Sequence, residues 1–166
     1  MSAILILGVD PGLNRCGWGL VASEGSRLSH VAHGVIAPKQ QQQLASRLHD
    51  VFEGLCAVIA QYQPHEAAVE ETFVNSNARA ALALGQARGV ALAAAARHGL
   101  VVGEYAPTTI KKAVVGSGSA DKTQIAFMVR RLLPTAGEVK ADAADALGVA
   151  LCHAAHGGFR RKAGGA

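Results

Sequence analysis

Four carboxylates stand where an acidic side chain is costly to place. Asp10 closes the apolar run Ile4–Asp10 directly before Pro11 and Gly12, and Glu70 closes the apolar segment Glu66–Glu70. Asp142 and Asp145 lie three apart in a stretch otherwise built from Ala, Leu, Gly and Val, so on a helix they share one face. An acid on an apolar face is expensive unless something pairs it. Taken singly, each has an ordinary structural explanation: a strand end tolerates an acid, and an acid in a first helical turn favours the helix dipole. As a set they point elsewhere, because strand ends and a helix face in an α/β sheet converge on the rim where such folds place their sites. Two carboxylates about 4 Å apart repel by roughly 4 kcal/mol at an effective dielectric near 20, so the set calls for protons or a divalent cation. Oxygen-only donors without thiolates or clustered imidazoles favour Mg²⁺ or Mn²⁺ over zinc. Two such ions about 4 Å apart activate water and stabilise the leaving oxygen of a phosphodiester. The expected chemistry is phosphate-ester hydrolysis.

The elements that must position these residues follow from periodicity and punctuation. Ile4–Asp10, ended by Pro11-Gly12, is a buried strand and turn. Segments 17–23 and 28–37 alternate imperfectly and predict two further strands in an antiparallel meander. Segment 44–61 carries Leu44, Leu48, Val51, Phe52, Leu55, Val58 and Ile59 at helical spacing and stops before Pro64. A strand at 66–70, a helix at 78–98 ended by Gly99, and a strand at 100–105 come next. Pro107 suits the first turn of a short helix. Ser119 is the expected N-cap of a helix over 121–133 stopped by Pro134, and a helix over 142–156 closes the order. A meander combined with crossover units predicts an α/β fold, with a mixed five-stranded sheet, its first three strands antiparallel, and helices on both faces.

The 166 residues suit one domain, and half of them are apolar against 17% charged, which argues for a packed globule rather than disorder. Cys16, Cys56 and Cys152 form no CxxC pair, which fits a reducing cytosol and neither a disulfide framework nor a zinc site. The N-terminus lacks the basic start and small-residue cleavage site of a signal peptide. The Ala-rich stretch 80–96 is interrupted by Gln86 and Arg88, which predicts a buried helix instead of a membrane span. A cytoplasmic location and no membrane partner are expected. Net charge is +4, of which Arg160, Arg161 and Lys162 supply three, so charge alone argues weakly for nucleic acid. The chain divides into one domain over 1–158 and a basic, flexible tail over 159–166.

Five segments sharpen this reading. GVDPG at 8–12, AVEETF at 68–73, LGQARGVA at 84–91, VVGSGSADK at 114–122 and ADAADAL at 141–147 closely resemble, in order and spacing, the RuvC family of bacterial crossover-junction endonucleases. The resemblance runs from about residue 4 to residue 153. It implies an RNase-H-like nuclease fold and a Mg²⁺-dependent homodimer; Mn²⁺ as a substitute and two ions per active site are the expectation of the donor chemistry above, with one or two metals in turnover left open. It implies symmetric nicking of two strands of like polarity across a four-way (Holliday) DNA junction in recombination and repair. It also implies a bacterial cytoplasmic setting and the branch-migration helicase complex RuvA-RuvB as partner. Carried over residue by residue, Asp10, Glu70, Asp142 and Asp145 are the catalytic and metal-binding acids, and Glu71 is left outside the site. Phe73 matches an aromatic that meets bases near the junction, where stacking contributes about 1–3 kcal/mol per base. Lys111 and Lys122 match lysines near the active site, and Arg79 is expected to replace a basic contact that Ser76 does not supply. The helix at 78–98, with Gly85 and Gly89, matches the one at the family's dimer interface, which suits a two-fold junction.

Competing motifs are weaker. GSGSADKT at 116–123 approaches a phosphate-binding P-loop, but Asp121 stands where that pattern needs glycine, and its carboxylate would oppose a phosphate. His153 and His156, three apart on a helix, are expected at the surface rather than on zinc. An actin-like ATPase or sugar kinase would need a second phosphate loop, for which this chain has no room. A junction-binding module without catalysis would gain from losing the four acids, and an RNA-processing nuclease of related fold would cut RNA instead.

Overall fold

The computed structural model describes residues 2–71 and 77–163, with side chains described up to residue 157. The element order is β1 (Ile4–Asp10), β2 (Cys16–Glu24), β3 (Arg27–Ile36), α1 (Leu44–Tyr62), β4 (Glu66–Glu70), α2 (Ala78–Arg97), β5 (Val101–Tyr105), α3 (Pro107–Val115), α4 (Lys122–Leu132) and α5 (Ala141–Ala163). A single 3-10 turn, Pro134–Ala136, follows α4. The strands form one sheet in the order β3-β2-β1-β4-β5. β1, β2 and β3 pair antiparallel, whereas β4 runs parallel to both β1 and β5. This is the expected mixed sheet. The imperfect alternation of β3 has a local cause: the register slips at Leu20/Val21, so Val31 has no partner and is exposed.

Successive residues of the central strands face opposite sides, so each strand feeds two cores. Leu7, Leu20 and Val69 join Val51, Leu55, Ile59, Ala91 and Ala94 beneath α1 and α2. Ile6, Val21 and Ala68 join Ile110, Val114, Ile125, Val129 and Leu147 beneath α3, α4 and α5. Helices therefore cover both faces. The second core brings α5 unusually close to the sheet. A Cβ on Gly8 would meet the Ala146 carbonyl oxygen, and one on Gly17 would meet that of Asp142. Only glycine at these two strand positions lets the α5 backbone lie directly on β1 and β2.

Three expectations need correction. Asp121, not Ser119, caps α4: its carboxylate accepts the Gln124 N–H at 2.8 Å, while Gln124 Oε1 accepts the Asp121 N–H at 2.8 Å. This reciprocal box satisfies two backbone donors at once. The Ser119 hydroxyl is instead paired with that of Ser117 at 2.9 Å. His153 is buried, not at the surface, and bonds Glu66 and Tyr105. α5 also runs further than expected, its backbone remaining helical through residues 159–163 of the basic segment.

Candidate active site

Asp10 and Glu70 end the two central parallel strands, β1 and β4, one step beyond the paired Val9 and Val69. Their carboxylates therefore emerge side by side at one edge of the sheet. Asp142 lies in the first turn of α5 with Asp145 one turn on, and the seat of Asp142 on Gly17 sets that end of the helix over the same edge, because Gly17 is the register partner of Asp10. Three elements thus bring the four predicted acids together. The electrostatics record how close they are. The Asp10 carboxyl is pushed up to about 9, first by burial, then by a hydrogen bond with Glu70 and by the charges of Glu70, Asp145 and Asp142. Asp145 is pushed up to about 6, mainly by burial, with Glu70 and Asp142 raising it and Lys122 opposing them.

The cationic residues divide. Lys122, first residue of α4, places Nζ 3.8 Å from Asp145 Oδ2 and is otherwise well exposed. Lys111 stands half-buried on α3, and no ion pair among the described residues joins it to the four acids. Arg79 is exposed near the start of α2, where its backbone N–H bonds the capping Asn77 at 3.1 Å. Phe73 and Ser76 lie outside the described residues. Glu71, left out of the predicted site, pairs with Arg88 at 3.8 Å and donates its N–H to the Tyr105 carbonyl at 2.8 Å.

Arg15 is the residue that sequence reasoning missed. Its Nη1 lies 3.9 Å from Asp142 Oδ2, and its side chain is two-thirds exposed at 66%. It stands five positions after Asp10, in the turn leaving β1, with no local mark of the distant Asp142 that it meets. That turn is held from α1, where Arg47 Nη2 donates to Asn14 Oδ1 at 2.5 Å and to the Leu13 carbonyl at 3.4 Å. Cys16, buried beside Asp10 and Asp142, has its thiol pushed up to about 12 by burial, which leaves it inert as a nucleophile.

The donor chemistry fits a divalent cation. All four acids offer oxygen, and their crowding penalises the ionised forms that a cation would stabilise. Among the described residues, no three His, Cys, Asp or Glu side chains stand close enough to hold an ion as placed, so binding requires the carboxylates to draw in.

Residues 6–153 match the family described as crossover junction endodeoxyribonuclease RuvC. The chain belongs to the RuvC family. A RuvC from Caulobacter sp. strain K31 is 62% identical over 91% of this chain and 89% of its own length. One from Hyphomonas neptunium is 54% identical over 99% of both chains. Among solved structures, the RuvC of T. thermophilus in complex with a Holliday junction substrate superposes with a TM-score of 0.88, at 31% identity over 95% of this chain and 96% of its own. The expected RNase-H-like architecture is thus that of the RuvC family, and membership makes the chain an endonuclease, a hydrolase acting on DNA.

Proposed function

We propose that this chain resolves four-way DNA junctions during recombination and repair. It nicks two strands of like polarity, with Asp10, Glu70, Asp142 and Asp145 holding Mg²⁺. What supports the reading is that β1, β4 and α5 carry these acids to one end of the sheet, where Asp142 sits on Gly17, the register partner of Asp10, and where burial and the neighbouring acids raise the Asp10 and Asp145 carboxyls. RuvC-family nucleases are in general divalent-metal dependent; Mg²⁺, with Mn²⁺ as substitute, is the choice that an all-oxygen donor set favours, and two ions per site is part of the proposal. When bound, the metal lowers the pKa of a water and neutralises charge on the phosphodiester.

The chain's own residues supply the rest. Asp10, its carboxyl pushed up to about 9 by burial and by Glu70, must lose its proton to become a ligand. Lys122 and Arg15 flank the acids from α4 and from the β1–β2 turn, placed to receive DNA phosphates that approach the metal site. Lys111 and Arg79 are proposed to extend this phosphate track, and Phe73 to stack on bases at the junction.

A homodimer suits two symmetric nicks. Its proposed interface is the outer face of α1 and α2. There a groove of about 460 Å³ is lined by Leu48, Phe52, Gln86, Gly89 and Val90 among others. Leu82 is exposed nearby, and a Cβ on Gly85 or Gly89 would meet only open space. No helix of the described residues is long and apolar enough to cross a membrane. A cytoplasmic setting is proposed from the bacterial RuvC relatives. RuvA-RuvB is the proposed branch-migration partner.

The test is cleavage of a synthetic mobile four-way junction with Mg²⁺ by wild type, Asp10→Asn and Asp145→Asn. Paired symmetric nicks by wild type alone, with both variants still binding, are expected. Tight binding without cleavage by any of the three, in Mg²⁺ or Mn²⁺, would leave a binding module, and cleavage of RNA alone would move the activity to another substrate.

A further inference from the structure

His153 lies on α5 eight residues past Asp145, about 12 Å along the helix at 1.5 Å per residue. It does not touch the acids. Its side chain is 7% exposed, and its ring is bonded on both nitrogens: Nε2 lies 2.7 Å from Glu66 Oε2 and Nδ1 lies 2.8 Å from the Tyr105 hydroxyl. The Tyr105 and His153 rings meet edge to face at 71°. Gly103 leaves the space the ring occupies, since a Cβ there would stand 2.6 Å from Nδ1.

Both partners lead back to Glu70. Glu66 begins β4, the strand that Glu70 ends. Tyr105 is the register partner of Glu70 across β4 and β5, and its carbonyl accepts the Glu71 N–H at 2.8 Å. One imidazole therefore ties α5, the bearer of Asp142 and Asp145, to the strand that bears Glu70. Besides the His156 ring, 5.2 Å from that of Tyr105, α5 meets the sheet through Ala143, Ala146, Leu147 and Ala150 over a glycine-floored surface. Apolar contact of that kind is non-directional and sets a helix's depth better than its rotation or slide. Hydrogen bonds are directional, and a constellation of ligands tolerates only about 0.5 Å and 10–20° of error.

We infer that His153, bonded to Glu66 and Tyr105, is a positioning residue that fixes the helix bearing Asp142 and Asp145 against the strand bearing Glu70. The inference rests on the metal-carboxylate reading above. It predicts that metal affinity, and not only fold stability, depends on a residue remote from the metal.

The test is Mn²⁺ affinity of the full chain without DNA, followed by electron paramagnetic resonance, beside thermal melts of the same samples. His153→Ala should weaken Mn²⁺ binding about ten-fold or more, as loss of ligand support does elsewhere. Tyr105→Phe, which removes one hydroxyl, should weaken it less, and His153→Gln, which can still donate to Glu66, should recover part of the loss. Val58→Ala serves as the stability control. It opens space under α1 on the opposite face of the sheet and should lower the melting temperature without changing Mn²⁺ affinity. Should His153→Ala fail to fold, Tyr105→Phe carries the comparison. Wild-type Mn²⁺ affinity in a folded His153→Ala, or in Tyr105→Phe where that one decides, would overturn the inference alone. So would an equal loss in Val58→Ala for the same drop in melting temperature. Absence of Mn²⁺ binding by wild type would overturn the metal reading and the inference together.

Discussion

Asp10 and Glu70 close the two central parallel strands side by side, and burial together with Glu70 pushes the Asp10 carboxyl up to about 9, so that it keeps its proton at neutral pH. The proton removes one unit of charge from a site where four carboxylates face one another. A divalent cation removes two and attracts every one of them, so metal and proton compete for the same oxygens.

That competition sets a pH dependence of stability. The Asp10 carboxyl stands at about 9 in the folded chain against 3.8 as its ordinary value. The folded state therefore binds more protons than the unfolded state between these limits, and stability falls as pH rises through that window. Stability is greatest, for this group, below its ordinary value and is lost as pH passes through about 9. Asp145, raised to about 6, adds to the lower part of the fall. Thermal melts in EDTA should drop steadily from pH 5 to pH 9, and those of Asp10→Asn should drop less. At pH 8 that variant should melt above wild type by roughly 2–4 °C for each 1 kcal/mol of relieved repulsion. A lower melting temperature for Asp10→Asn under these conditions would contradict the crowding of the four acids.

Metal binding should release protons. At pH 7 Asp10 is protonated in the metal-free chain and must ionise to become a ligand. Calorimetric titration with Mg²⁺ in two buffers of different ionisation enthalpy should show a net proton released, and affinity should rise between pH 6 and pH 9. Heats independent of the buffer would mean that Asp10 stays out of the metal's coordination.

Arg15, 3.9 Å from Asp142 and largely exposed, should act on DNA and not on folding. Exposed pairs of this kind add little to stability. Arg15→Ala should leave the melting temperature nearly unchanged, weaken junction binding, and reduce the slope of log affinity against log salt by about 1. Lys122→Ala should behave alike. An unchanged salt slope in both variants would remove them from the phosphate track.

Gly17→Ala tests the seat of α5. The added methyl would run into the Asp142 carbonyl, so the helix must lift or the strand must bend. Overpacking of this kind costs about 1–3 kcal/mol, visible as a fall in melting temperature. Cleavage by the folded fraction should fall further than stability does, because the displaced residue is itself a carboxylate of the site. Full specific activity in a destabilised Gly17→Ala would show that α5 can shift without disturbing the acids.

Much of this was legible in the order of residues. Local signals are covalent and short-range: Pro11-Gly12 ends β1 whatever lies around it, and the 3.6-residue spacing from Leu44 to Ile59 describes a helix before it has a partner. The four acids could be read because each broke an apolar pattern that burial alone explains poorly. The helix start at Asp121 could also have been read, since Gln124 follows it at the spacing of a capping box, a rule that Ser119 does not satisfy. Arg15 and His153 could not. A base in a turn and a histidine in an Ala-rich helix carry no local mark of what they meet, because Asp142 is 127 residues from Arg15 and Glu66 is 87 residues from His153.

The sequence by itself determined which groups this protein has for chemistry, which elements carry them and, through five motifs in register, the family to which it belongs. Tertiary structure alone decided their distances and charge states. An Asp10 carboxyl at about 9 is a property of burial and of Glu70, Asp145 and Asp142 together, and those neighbours are brought near only when β4 pairs with β1 and α5 settles on Gly8 and Gly17. Propensity and periodicity act over a few residues, whereas desolvation and Coulomb repulsion act through space, so the second kind of fact exists only in the folded chain.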